Sequence, residues 1–186
     1  MIHDDFIKQI HRRLAIISVG GSALRNQGAA GLVDIARIYF ENSISLDKFV
    51  ACLRDEVSFK RFLNLHTDQL VDQFPEGGKS WGAARKGLNL FLRDLVYNKF
   101  IAEKFNLAVN FEQFNEEIKH LELPLDGYVG RELYEGSNNT LPKWKSIRDL
   151  TKVVSERYQA HALRIAKEQN IARVHLDLLY WRKPTE

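Results

Sequence analysis

Apolar residues recur at helical spacing along almost the whole chain, and strict alternation over more than four residues is hard to find. Phe6, Ile10, Leu14 and Ile17 share one helical face, and Leu32, Ile35, Ala36 and Tyr39 share another. This periodicity favours helix packed on helix and leaves little material for a sheet, so an all-α fold is expected. Helices are predicted at about 4–18, 28–41, 45–54, 56–72, 82–104, 111–120, 126–135, 147–169 and 173–181. Ser45 and Asn110 stand where N-caps belong, and breakers fall at Gly20-Gly21, "FPEGGKS", Pro124 and "EGSNNTLPKW".

A chain of 186 residues suits a single compact domain. Two lobes are expected within it: a core over 30–135, and a terminal lobe made from 1–29 plus 136–186. No run approaches the roughly 18 apolar residues of a membrane span, and "MIHDDFIKQIHRR" lacks the basic-then-apolar order of a signal peptide. A cytoplasmic protein with no membrane partner is therefore expected, as a monomer. The single cysteine, Cys52, excludes an internal disulfide and a zinc-cysteine site, so chemistry without metal or cofactor is expected. Residues 143–186 hold ten Lys/Arg against five Asp/Glu, although the whole chain carries only +3. Such an excess suits a polyanionic partner, and it also suits an ordinary solvated face.

Two stretches depart from a simple helical bundle. In "QFPEGGKSWGAARKGLNLFLRDLVYN" a Pro/Gly-rich hairpin leads into a long apolar helix. Outward amides at such a turn can hold a phosphate, or the turn can be a mere connection. Lys86, near the start of that helix, has small or apolar neighbours. Burial and the helix dipole would both disfavour its ammonium form and make it a better amine nucleophile, unless it snorkels to solvent. In "LELPLDGYVGREL" a lone carboxylate, Asp126, follows a Leu-Pro-Leu run and precedes a helix. It can be a helix cap or a catalytic group.

Taken in order, these two segments resemble the helix-hairpin-helix DNA glycosylases. Gly82, Arg85, Lys86, Asn89 and Leu92 look like the family's lysine-helix segment, and Pro124, Leu125, Asp126, Val129 and Arg131 like its aspartate segment. The 40-residue interval from Lys86 to Asp126 is similar to that of the archaeal 8-oxoguanine glycosylases, as is the C-terminal "RVHLDLLYW". "FPEGG" lies earlier than the family's hairpin, which leaves Lys79 as an alternative nucleophile.

The resemblance implies a two-lobed helical glycosylase fold containing a helix-hairpin-helix element. It also implies excision of a damaged or modified base from double-stranded DNA, in repair or in defence against phage, with lyase activity. Lys86 would be the nucleophile and Asp126 the electrostatic partner. A base outside the stack needs a pocket, and its expected members are Gln27, Asn26, Trp81, His175, Asp177 and Trp181. Contacts to the DNA backbone are expected from Gly77, Gly78, Gly82, Arg85, Gly127, Tyr128, Arg131, Lys143 and Lys145, with Trp144 between the last two. Gly127 and Gly130 would let that backbone approach the carboxylate. Two other classes stay open: a helix-hairpin-helix protein that binds DNA without cutting it, and an all-α interaction protein with no DNA role.

Overall fold

The computed structural model describes residues 3–24, 26–109 and 116–180, and among them every regular element is a helix. The order is α1 (Asp4–Ile17), α2 (Leu32–Ser43), α3 (Leu46–Cys52), α4 (Glu56–Gln73), α5 (Trp81–Tyr97), α6 (Lys99–Lys104), α7 (Gly127–Gly136), α8 (Lys152–Glu168) and α9 (Leu176–Tyr180). Short 3₁₀ turns occupy Glu76–Gly78 and Arg173–His175. None of these helices is long and apolar enough to cross a membrane.

Side-chain caps set most of the helix starts. Ser45, Asp55, Ser80, Asn98, Asp126 and Thr151 each accept a hydrogen bond from an amide of the first turn that follows. Two boundaries differ from the sequence expectation for this reason. The helix expected over 82–104 is divided at Asn98, whose Oδ1 accepts from Phe100 N at 3.1 Å and Ile101 N at 3.3 Å. The helix expected from 147 starts only after Thr151, because Ser146 and Asp149 close a separate turn first. Asn110 and residues 111–115 of the helix expected over 111–120 lie outside the described residues, and residues 116–120 form a turn in place of helix.

Helix α5 is the axis of the fold, and its residues 82–89 are all buried. Around it α1, α2, α4 and α6 close a first apolar cluster, within which Phe40 and Phe91 stack with ring centroids 4.8 Å apart. A second cluster joins α7, α8 and the start of α9 through Leu123, Leu125, Val129, Trp144, Tyr158 and Leu176. These clusters divide the chain differently from the expected lobes. The face of α1 carrying Ile7, Ile10 and Leu14 packs in the first cluster with α2 and α5, and of the expected terminal lobe Ala172 and Val174 join it there.

The seam between the clusters is held by segment 120–125, which has no regular secondary structure after the turn that ends at His120. Gln159 Nε2 donates to Leu123 O at 2.7 Å, and its Oε1 accepts from Leu123 N at 3.0 Å. The Arg173 guanidinium donates to the carbonyls of His120, Leu121 and Gln159. With Leu123 and Leu125 buried as anchors, this segment ends at a fixed place, and Asp126 is the residue it delivers.

Candidate active site

Lys86 lies in the second turn of α5, only 9% exposed. Its Nζ donates to Ala23 O at 3.1 Å and stands 4.0 Å from Asp126 Oδ2. Ala23 precedes α2, as do Gly28 and Ala29, which are seated on the hairpin at Gly77 and Gly78. Gly28, at φ 95°, touches Gly77 so closely that a Cβ on Gly28 would fall 2.2 Å from Gly77 O. Only glycine tolerates both that approach and that φ.

Asp126 is the N-cap of α7. Its Oδ1 accepts from Tyr128 N at 2.8 Å and Val129 N at 2.9 Å, while Oδ2 faces Lys86. The two residues that sequence alone left as cap or catalyst, and as buried or snorkelling, therefore meet. Burial pushes the Lys86 amine below the ordinary lysine value, with Asp126 and Asp177 opposing that shift. A buried amine of lowered basicity beside a carboxylate combines a nucleophile with a group that stabilises adjacent positive charge.

Asp177 is buried and pairs with Arg93, which also pairs with Asp94 at 2.7 Å. Burial pushes the Asp177 carboxyl up, against the pull of Arg93. His175 Nδ1 shares a hydrogen bond of 2.7 Å with the Tyr97 hydroxyl, and the two rings stack at 5.5 Å. Arg93 and Tyr97 were missed in the sequence. Their signal is spacing: both follow Lys86 along the same face of α5, two and three turns later.

Other expected members divide. Gln27 is buried in the loop that bears Ala23, and Asn26 beside it is exposed with φ 60°. Trp81 is not brought to Lys86. Five residues of helix turn it about 140° away, and the Arg85 guanidinium lies 4.6 Å over its ring. Trp181 lies outside the described residues. Lys79 is exposed and paired with Glu76 at 2.9 Å, which raises its pKa above the ordinary value. It has neither the burial nor the carboxylate arrangement of Lys86.

Several residues expected on the DNA backbone face inward instead. Arg85 is 4% exposed and binds Asn64, with Glu122 at 3.7 Å. Gly78 is covered by Leu32 and Ala29, and a Cβ on Gly82 would meet Ile147 O at 2.1 Å. Gly130 is closed to DNA, because the Trp144 indole occupies its surface and a Cβ there would fall 2.2 Å from the ring. Gly77, Arg131, Lys143 and Lys145 are exposed, and Tyr128 and Gly127 are half-buried. Clefts of about 740 Å³ beside α1 and about 480 Å³ beside α8 open elsewhere, and neither is lined by Lys86 or Asp126.

Comparison with known protein families, with characterised proteins and with solved structures finds no match to this chain.

Proposed function

We propose that this chain is a DNA glycosylase with lyase activity, in which Lys86 is the nucleophile and Asp126 its electrostatic partner. The observation that carries the proposal is the 4.0 Å approach of Lys86 Nζ to Asp126 Oδ2, from two segments 40 residues apart in sequence. Lys86 is held by Ala23 O on one side, and the Asp126 side chain is 30% exposed on the other. A nucleotide turned out of the duplex would enter from that open side, as base excision requires.

The chemistry follows from the charges. As the bond between C1′ and the base breaks, the base keeps the electron pair and takes up a proton, and positive charge grows on the sugar. Asp126 offsets that charge while the free amine of Lys86 forms the new bond to C1′. One proton passes from that nitrogen to O4′ as the C1′–O4′ bond opens, giving a sugar hydroxyl and a protonated imine. The imine permits β-elimination at the 3′ phosphate.

Exposed Arg131, Lys143 and Lys145 near α7 suit contacts to the strand. The test is incubation with a panel of damaged and modified duplexes, read by mass spectrometry for released base and by borohydride for a covalent adduct. Base release from one member together with an adduct supports the proposal. No release and no adduct across the panel sinks it, and salt-sensitive binding without either would favour a non-cutting DNA-binding protein.

A further inference from the structure

One buried donor near Asp126 takes no part in the chemistry above. Trp144 is 8% exposed, lies on Gly130, and meets the Tyr158 ring edge-on at 5.4 Å. Among the described residues, its Nε1–H is a buried donor with no hydrogen-bond partner, a state that folded interiors generally avoid.

That nitrogen borders the first turn of α7, a helix of ten residues. Among the described residues, beyond the adjacent ones and the helix backbone, a Cβ on Gly127 would find only two atoms within 4 Å. These are Arg131 Nη1 at 3.7 Å and Trp144 Nε1 at 4.0 Å, both N–H donors. Asp126 Oδ1 caps the amides of Tyr128 and Val129, so the Gly127 amide is outside that cap. A guanidinium, an indole N–H and a helix N-terminal amide around one glycine suit an anion with several oxygens and offer nothing to a cation. The neighbouring carboxylate does not oppose this alone, because its Oδ2 faces Lys86 and Arg131 supplies positive charge.

We propose that Arg131, Trp144 Nε1 and the Gly127 amide form a phosphate-ester site. Resting on the glycosylase proposal, its ligand is the phosphodiester beside the nucleotide whose sugar meets Lys86 and Asp126. An ester oxygen takes the volume that a side chain at 127 would fill, with exposed Arg131 swinging onto the phosphate to uncover the indole. Gly130 has a separate role: it lets the indole come close enough to donate. The site fixes the strand in register without reading its sequence.

The test uses full-length ¹⁵N-labelled protein, with the Trp144 indole N–H signal assigned by its loss in Trp144→Phe. Inorganic phosphate and a duplex carrying an uncleavable abasic analogue are titrated separately. The duplex should move the indole signal downfield, and Trp144→Phe, Arg131→Met and Gly127→Ala should each weaken duplex binding about tenfold, the scale of a hydrogen bond to a charged group. Movement with both ligands, or with the duplex alone, upholds the site. Movement with phosphate alone overturns its assignment to a strand. A signal moved by neither, or three variants that bind as wild type, overturns the site itself. No covalent step is read, so a moved indole signal without any borohydride adduct refutes the glycosylase proposal and leaves the phosphate-ester site standing.

Discussion

At Asp126 the two carboxylate oxygens face different partners, so capping and charge can be separated by substitution. Asn caps about as well as Asp, and Asp126→Asn should keep Tm within about 2 °C while slowing base release by about 10²–10³. Asp126→Ala loses the cap as well and should lower Tm by about 2–4 °C, for roughly 1 kcal/mol. Base release by Asp126→Asn at the wild-type rate would remove the electrostatic role. Lys86 makes a second prediction through its lowered pKa. The neutral amine is the nucleophile, so the rate of adduct formation should rise with pH and level off below the ordinary lysine value of about 10.4. Between the folded and unfolded pKa values the unfolded chain binds more protons, so stability rises with pH through that window, and below it burial of the lysine charge is a cost. Lys86→Met should therefore raise Tm by about 2–4 °C at neutral pH while abolishing adduct formation, as calorimetry and trapping would show. A fall in Tm would mean that Asp126 and Ala23 hold the ammonium more firmly than burial opposes it.

Helix α7 shows how differently two glycines in one element can be used. A Cβ on Gly130 would fall 2.2 Å from the Trp144 ring, and Gly130→Ala should cost about 1–3 kcal/mol by overpacking. At Gly127 a Cβ finds only ordinary contacts, and Gly127→Ala should be neutral or slightly stabilising by calorimetry. Equal destabilisation by both would mean that the indole does not lie where described. Only part of this was legible in the sequence. The apolar stretch "GLNLFLRDLVYN" pointed to a helix, and "LPLDG" offered Asp126 as a cap, because both signals are local. That Trp144 fills Gly130, or that Gly82 meets Ile147 O, depends on which elements touch, and no local pattern carries that information. The inward turn of Arg85 was hidden for the same reason: its partners Asn64 and Glu122 come from distant segments.

Across the whole molecule, the candidate site sits where two apolar clusters meet, with Lys86 borne by the first and Asp126 entering from the second. Arg173, buried and donating to three carbonyls of residues 120, 121 and 159, ties the segment that ends at Asp126 to α8. Arg173→Met leaves those carbonyls buried without their donors and should cost about 3 kcal/mol or more, measured by denaturant unfolding. A loss below about 1 kcal/mol would show that the seam stands without it. The most direct test of the central claim uses a duplex bearing one abasic aldehyde, borohydride, and mass spectrometry of the trapped peptide. The expected adduct lies on Lys86, disappears in Lys86→Gln and persists in Lys79→Gln. An adduct on Lys79, or one that survives Lys86→Gln undiminished, would contradict the account.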